Sequence, residues 1–196
     1  MARLSSHTVP ITLADGTQVE LRPIVPEDKP LLTEGLARLS PRSRYLRFMS
    51  STETLTRAQL AYLSELDYQD HFAWGVLHEG AGIAVGRYIR LTDDRRSAEV
   101  ALTVLDEFQG KGVGRLLVEA LAVVANEHGI DRFEFIVLAE NRPMLALLEK
   151  LGAATQTDGP IVRGWVEVPG LLGGGAHRRA LLELADSTRR GGHDMP

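Results

Sequence analysis

The fold of this chain is decided by the stretch Gln109-Gly110-Lys111-Gly112-Val113-Gly114. An apolar run over residues 100–105 precedes it and predicts a strand, and residues 113–126 follow with the apolar spacing of an amphipathic helix. Glycines at alternate positions let the backbone turn tightly and let an anion approach main-chain N–H groups. The helix directs its free N–H groups and the positive end of its dipole to the same place. The stretch therefore predicts a phosphate-binding loop.

Two common phosphate loops do not fit these residues. A P-loop needs Ser or Thr after the Gly-Lys pair to hold magnesium, whereas Gly112 follows Lys111 here. A dinucleotide fingerprint needs its third glycine three residues after the second, and an acidic residue about 20 positions further on. The glycines at 110, 112 and 114 do not have that spacing. Both nucleotide-binding classes are thereby excluded.

The residues that remain follow a known family pattern. Gln109, Gly112 and Gly114 fit Gln/Arg-x-x-Gly-x-Gly/Ala, and residues 141–153 fit Asn-x-x-Ala-x-x-Leu-x-x-x-x-Gly-Phe, with Met144 for Ala and Ala153 for Phe. From about residue 17 to 168 the chain resembles the GNAT superfamily of N-acyltransferases. The resemblance implies an α/β (α+β) fold in which helices flank a mixed, mostly antiparallel central sheet whose strands splay around acetyl-CoA.

The resemblance also implies which residues contact acetyl-CoA, the cosubstrate, with no metal required. The main chain of Val104 would pair with the pantetheine arm, and Asn141 would hydrogen-bond near it or simply cap the following helix. Lys111 and Arg115 would neutralise phosphate charge or else belong to a solvated loop. The complete expected set is Leu102, Val104, Leu105, Gln109, Gly110, Lys111, Gly112, Val113, Gly114, Arg115, Asn141 and Met144.

Acyl transfer to an amine requires a proton acceptor, because a lysine-like amine with a pKa of about 10.4 is charged at neutral pH. Glu99 is the catalytic candidate, since it is the only acid in the apolar run over residues 98–104, where burial would make it a stronger base. The alternative is a surface carboxylate at a strand end. Asp67, Asp70 and His71 are further candidates. A backbone N–H near Val104 would stabilise the oxyanion.

Besides Met144 and Ala153, a third position departs from what is common in the superfamily. Many members of the superfamily carry a tyrosine there that protonates the leaving thiolate, whereas this chain has Leu148. We therefore expect this role to be vacant or to be taken by another residue.

The segment Leu39-Ser40-Pro41-Arg42-Ser43-Arg44-Tyr45-Leu46-Arg47-Phe48 narrows the resemblance to the Pat-type bacterial protein lysine acetyltransferases. Those domains are often fused to an acyl-CoA-synthetase-like or cyclic-nucleotide-binding domain, for which 196 residues leave no room, so cyclic-nucleotide control is not expected. Their glutamate in an Ala-Glu-x-Ala strand is matched by Glu99. The arginines of the segment would lie near the acceptor groove, or would pair with local acids in a structural helix.

Three hypotheses about function follow. The first is acetyl-CoA-dependent acetylation of a primary amine, specifically a protein lysine side chain. The second is acetylation of a small amine or an amino acid. The third is a non-catalytic module that binds or senses acyl-CoA, which Glu99 argues against and the missing tyrosine mildly favours.

Composition sets the remaining expectations. The net charge of −4 gives no reason to expect nucleic acid or an anionic membrane as a partner. Without cysteine there is no disulfide scaffold and no thiol nucleophile. Residues 1–10 lack the apolar core of a signal peptide, so we expect a cytoplasmic protein. The Pat-type resemblance implies a bacterial source, and we expect either a monomer or a homodimer.

Local patterns predict the order of elements. Strands are expected at 18–24, 71–78, 82–91, 97–105, 132–138 and 161–168, with 132–138 covered on both faces. Helices are expected from residue 26, at 42–49, at 56–65 and at 113–126. We expect residues 1–172 to form the acetyltransferase domain. Residues 173–196 would be a glycine joint and a tail with a possible short helix over 176–190. This tail would be either loosely docked or disordered, or it would pack on the body of the protein or on a partner subunit.

Overall fold

The computed structural model describes residues 8–50, 52–172 and 177–191. The glycine joint at residues 173–175 lies outside these ranges. The helices are α1 Lys29–Arg38, α2 Pro41–Phe48, α3 Arg57–Ser64, α4 Val113–Glu127, α5 Arg142–Lys150 and α6 Arg178–Gly191. Short 3-10 turns occupy Pro26–Asp28, Asp106–Phe108 and Val168–Leu171. In the described part of the chain, no helix is both long and apolar enough to cross a membrane.

The strands of the described residues form one sheet in the order β1-β2-β3-β4-β5-β6-β8-β7. They are β1 Val9–Thr12, β2 Gln18–Pro23, β3 His71–His78, β4 Ala81–Arg90, β5 Ser97–Val104, β6 Arg132–Leu138, β7 Ala154–Asp158 and β8 Ile161–Glu167. Only β5 and β6 pair in parallel among them. The predicted mixed, mostly antiparallel sheet flanked by helices is thus confirmed. Strands β1 and β7 were not predicted.

The parallel pair β5–β6 comes apart soon after it begins. Its register couples Ser97 with Arg132, Ala98 with Phe133 and Glu99 with Glu134, and no later pair is formed. Strand β5 nevertheless stays paired with β4 as far as Val104. The two central strands therefore diverge beyond Glu99 and leave one edge of β5 open, which is the predicted splay.

Helix α4 packs against one face of the sheet next to this opening. Its apolar stripe is buried, including Val113, Leu117 and Leu121 at 0–1% exposure. Gly86 of β4 lets the helix come close, because a Cβ at that position would lie 3.1 Å from the Cβ of Leu117. The helix that begins at the glycine stretch is therefore held firmly against the strands that diverge.

The opposite face of the sheet is covered unevenly. Helices α1, α2 and α3 cover it over β3–β5, but on β6 the side chain of Ile136 is 40% exposed, and on β8 that of Trp165 is 37% exposed. The prediction that β6 is covered on both faces is wrong, because its apolar composition reflects one buried face and one open face.

Helix α6 packs on α4, β1 and β2 and buries Leu181 and Leu184.

Candidate active site

The glycine loop has the geometry that an anion cradle needs. Gly110 and Gly112 have φ angles of 75° and 90°, which side chains other than glycine rarely adopt. Gly112 is the N-cap of α4, and its carbonyl accepts the first helical hydrogen bond, from the Leu116 N–H at 3.0 Å. The N–H groups of residues 113–115 therefore have no acceptor within the helix. They point, together with the positive end of the helix dipole, away from the first turn of α4.

The open edge of β5 carries main-chain groups that no strand of the described ranges satisfies. The Leu105 N–H donates to the carbonyl of Ile83 on β4 at 2.9 Å. Since backbone groups alternate between the two sides of a strand, those of Leu102 and Val104 point the other way, toward the gap left by β6. Gln109 Nε2 donates to the Val104 carbonyl at 3.1 Å. The Leu102 and Val104 amides thus face the gap between the splayed strands.

Helix α2 is tied to the turn that leads into the glycine loop. The Asp106 carboxylate accepts hydrogen bonds from the Ser40 N–H at 3.0 Å, from Ser40 Oγ at 2.8 Å and from Ser43 Oγ at 2.7 Å. Gln109 Nε2 also lies 3.3 Å from Ser43 Oγ. Burial acts to raise the pKa of Asp106, but these hydrogen bonds outweigh it and lower the pKa. Sequence reasoning did not identify Asp106 as part of the site.

The two cations of the loop are engaged by neighbours. Lys111 Nζ lies 5.2 Å from the ring centre of Phe108, and Arg115 Nε donates to Glu119 Oε1 at 2.7 Å. Asn141 is the N-cap of α5, where its Oδ1 accepts from the Met144 N–H at 3.2 Å. This cap leaves the Nδ2 group of Asn141 available to a ligand, so the two predicted roles of Asn141 remain compatible.

Glu99 lies on β5 at the last residue pair before the strands diverge. Its neighbours in register are Ile89 on β4 and Glu134 on β6. Its side chain is exposed, so the expectation that burial in an apolar run makes it a stronger base is wrong. The period of a strand puts Ala101 and Thr103 on the same face of the sheet as Glu99.

The alternative proton acceptors are engaged in structural contacts. Asp67 Oδ1 accepts the backbone N–H groups of Gln69, Asp70 and His71, each at 2.8 Å. Asp70 pairs with Arg90 at 2.7 Å and with Arg95 at 2.8 Å. Burial acts to raise the pKa of Asp70, but the hydrogen bonds from Arg95 and Arg90 outweigh it and lower the pKa.

His71 contacts an arginine that sequence reasoning missed. Arg87 of β4 is 4% exposed, and its Nη1 lies 3.0 Å from His71 Nε2. Burial, and after it the charge of Arg87, lowers the pKa of His71 to about 4. The imidazole is therefore neutral at pH 7, and its Nε2 accepts from the guanidinium. The sequence did carry a signal for Arg87, since it alternates in phase with Ile83, Val85 and Ile89.

Leu148 is fully buried in the core, so no phenol occupies the position where many relatives carry a tyrosine.

Within the residues described, no group of three or more His, Asp or Glu side chains is arranged to hold a metal ion. The groups that the described residues offer at the site include Glu99, free main-chain amides and the buried Arg87.

Comparison with known proteins assigns the chain to the family that its sequence motifs resemble. Residues 18–154 match the family model described as the acetyltransferase (GNAT) domain. Acetyltransferase Pat of Mycolicibacterium smegmatis is 37% identical over 186 residues, which are 93% of this chain and 55% of that protein. Acetyltransferase PA5475 of Pseudomonas aeruginosa is 31% identical over 151 residues, 75% of this chain and 81% of that protein.

A solved structure agrees with these relatives. The crystal structure of the GNAT domain of S. lividans PAT superposes with a TM-score of 0.78 at 28% identity and covers 85% of this chain and 99% of that chain. The predicted resemblance is thereby confirmed. The chain spans about half the length of the M. smegmatis Pat protein that it matches.

Proposed function

The chain belongs to the GNAT family of acetyltransferases, and from that premise we propose that it transfers the acetyl group of acetyl-CoA to a primary amine, with a protein lysine side chain as the acceptor. The single observation that carries the proposal is the open edge of β5. Amides of Leu102 and Val104 face a gap between strands, and the free amides of α4 begin a few residues further along the chain.

In this proposal the cradle at residues 109–115 holds the pyrophosphate through main-chain N–H groups. The positive φ angles of Gly110 and Gly112 support this role, because the loop turns without a Cβ between the anion and the amides. Lys111 and Arg115 would have to leave their present partners to reach a phosphate, so we assign the binding mainly to the backbone.

The diverging strands provide the place for the pantetheine arm. Acetyl-CoA supplies an activated thioester, and the main-chain groups of Leu102 and Val104 would pair with the extended arm as a β6 strand otherwise would. A free N–H at this edge would donate to the thioester oxygen as negative charge develops on it. Gln109 Nε2 donates to the carbonyl of Val104 and holds that carbonyl in place.

Glu99 would accept the proton of the attacking ammonium, directly or through one water. Glu99 is exposed, not buried as predicted, and this exposure also supports the role of base. An exposed carboxylate can pass the proton to bulk water after each turnover. The leaving thiolate would take its proton from solvent, because Leu148 offers none. Among the described residues α2 reaches β6, but Ile136 and Trp165 stay 40% and 37% exposed on the sheet face that carries Glu99, and such an apolar surface suits a polypeptide acceptor.

The test is the release of free CoA from acetyl-CoA, measured against small amines, amino acids and lysine-containing proteins. Release with proteins supports the proposal, and release with small amines alone makes the second hypothesis correct. Tight binding of acetyl-CoA without release with any acceptor indicates a sensing module and refutes transfer. A Glu99→Gln variant that binds acetyl-CoA normally and turns over slowly would connect the activity to this site.

A further inference from the structure

A cavity under helices α1–α3 contains an uncompensated pair of arginines. The cavity has a volume of about 90 Å³, whereas one water needs roughly 10–15 Å³ by the same measure. Leucine is the commonest residue of its wall, but Arg22, Arg47 and Arg87 also line it, with Ala101 and Thr103 of β5. The cavity therefore opens an apolar, cationic space on the sheet face that carries Glu99.

The other buried arginines each have a carboxylate partner. Among the described residues, the arginines of the buried class are Arg22, Arg87 and Arg90, at 3%, 4% and 8% exposure. Arg22 bonds both oxygens of Asp28 at 2.6 Å, and Arg90 bonds Asp70 at 2.7 Å. Such pairing is the rule, since a buried charge without a counter-charge is costly.

Arg87 breaks this rule in the described structure. Its partners there are neutral: His71 Nε2 at 3.0 Å and the carbonyl of Leu63 at 3.2 Å. No carboxylate of the described residues lies within 4.0 Å of its guanidinium nitrogens. Burial, and after it the charge of Arg47, lowers the pKa of Arg87 from 12.5 to about 9. The protein thus keeps the Arg87 guanidinium at a position where burial and the charge of Arg47 disfavour its protonated form.

Arg47 adds a second positive charge to the lining of the same cavity. It belongs to α2, and its Nε donates to Thr103 Oγ1 at 3.2 Å. Within the same described ranges it forms no ion pair either. Burial lowers the pKa of Arg47, and the charge of Glu99 only partly opposes this effect. Two guanidinium groups therefore line the same cavity, and the charge of Glu99, which the proposed function uses as the base, acts on Arg47.

The position of the pair connects it with the acceptor. Arg87 stands opposite Ala101 in the β4–β5 register, two residues along the strand from Glu99. At roughly 3.3 Å per residue this is a spacing of about 7 Å on the same face. A molecule with its amine near Glu99 could therefore present a second group to both guanidinium groups.

We propose that Arg47 and Arg87 form a carboxylate-binding subsite of the acceptor pocket, so that the amine acceptor also carries a carboxylate. The assignment of the carboxylate ligand as the amine acceptor rests on the proposed acetyl transfer. Two planar guanidinium groups can bind a carboxylate with several charge-assisted hydrogen bonds, and the leucine wall accommodates an apolar chain between the carboxylate and the amine. The carboxylate belongs either to a free amino acid or to an acidic side chain beside the acceptor lysine.

The first experiment compares matched acceptors on the full chain. Amino acids from α-amino acids to 6-aminohexanoate are each paired with the corresponding amide, and a Glu-Lys peptide is paired with its Gln-Lys analogue. We expect wild-type kcat/KM to favour the carboxylate member of at least one pair by tenfold or more. In Arg47→Gln and Arg87→Gln this ratio should approach one, whereas Arg57→Gln, which removes an exposed arginine of α3, should keep it. A ratio is insensitive to partial unfolding of a variant.

The second experiment separates the subsite from the transfer reaction. Calorimetry at constant ionic strength measures the binding of hexanoate and hexanamide, without acetyl-CoA. Binding of hexanoate but not of hexanamide, with loss of hexanoate binding in Arg47→Gln, supports the subsite. This result stands even if no acceptor is acetylated, and in that case only the proposed acetyl transfer is refuted. Equal turnover of acid and amide together with no hexanoate binding overturns the subsite and leaves acetyl transfer intact. Preference for the free acids or for the Glu-Lys peptide identifies the source of the carboxylate.

Discussion

A negative charge at Gly112 is the sharpest test of the phosphate cradle. Gly112 has φ 90° at the N-cap of α4, and a Cβ there would meet no atom of the described residues within 4 Å. The substitution Gly112→Asp therefore introduces strain of about 1–2 kcal/mol but no collision. The folded protein should persist, with its new carboxylate next to the free amides of the first turn.

The effect on CoA binding should be much larger than the effect on stability. A carboxylate about 5 Å from one phosphate charge repels it by roughly 3 kcal/mol at an effective dielectric constant of 20. Each 1.4 kcal/mol is a factor of ten, so we expect the Kd of CoA to rise on the order of 100-fold. Gly112→Ala, which adds a methyl group without charge, should give a smaller loss.

The control is Gly129→Asp at the far end of α4. Gly129 has φ 72°, and a Cβ there would meet no atom of the described part of the chain within 4 Å, so Gly129→Asp combines the same charge with comparable strain away from the cradle. Calorimetric titration with CoA and thermal unfolding of the three variants complete the experiment. If Gly112→Asp binds CoA as tightly as Gly129→Asp does, the phosphates do not lie at these amides.

Three further predictions concern single side chains. Glu99→Gln should leave the Kd of acetyl-CoA unchanged and lower kcat by about 10²–10⁴, and full activity would remove Glu99 from the mechanism. Asp28→Asn leaves Arg22 buried without its partner, so the free energy of unfolding should fall by about 3–5 kcal/mol in urea titration; a loss below about 1 kcal/mol contradicts this. The unfolded chain protonates His71 below its ordinary pKa of 6.5 and the folded chain only near 4, so stability should fall as pH drops through this window. The loss is at most about 3 kcal/mol, reduced by the exposure of the ring, and His71→Gln should flatten that part of the pH profile.

The sequence predicted the elements whose patterns are local and strong. Helix α4 has a full 3.6-residue stripe, and β6 was assigned the bounds that the structure gives it. Strand β7, Ala154–Asp158, has no buried residue at all, so it offers no alternation to detect. Its strand character comes only from pairing with β8. Strand β1 is four residues long and depends on β2 in the same way.

The candidate site was predicted in its backbone part and less well in its side chains. The glycine loop has a local signal, because the φ angles of 75° and 90° at Gly110 and Gly112 strongly favour glycine. The exposure of Glu99 depends on where β6 leaves β5, which no stretch of sequence records. The Arg87 site depends on a strand, a helix and a neutral histidine that are far apart along the chain. Such clusters are invisible until the register of the sheet is known.

One strand serves both halves of the proposed reaction because its edge and its face are different surfaces. The open edge of β5 offers the main-chain groups of Leu102 and Val104, while its face presents the side chains of Glu99 and Thr103. A thioester held along the edge and an amine placed on the face would therefore be adjacent. The thioester would use main-chain groups of β5 and the amine would use the side chains of that strand. A shift of β5 by one residue against β4 would turn Glu99 to the α4 side and reverse the edge groups together. The register of this single pair of strands thus sets the geometry of acetyl donor and acceptor at once.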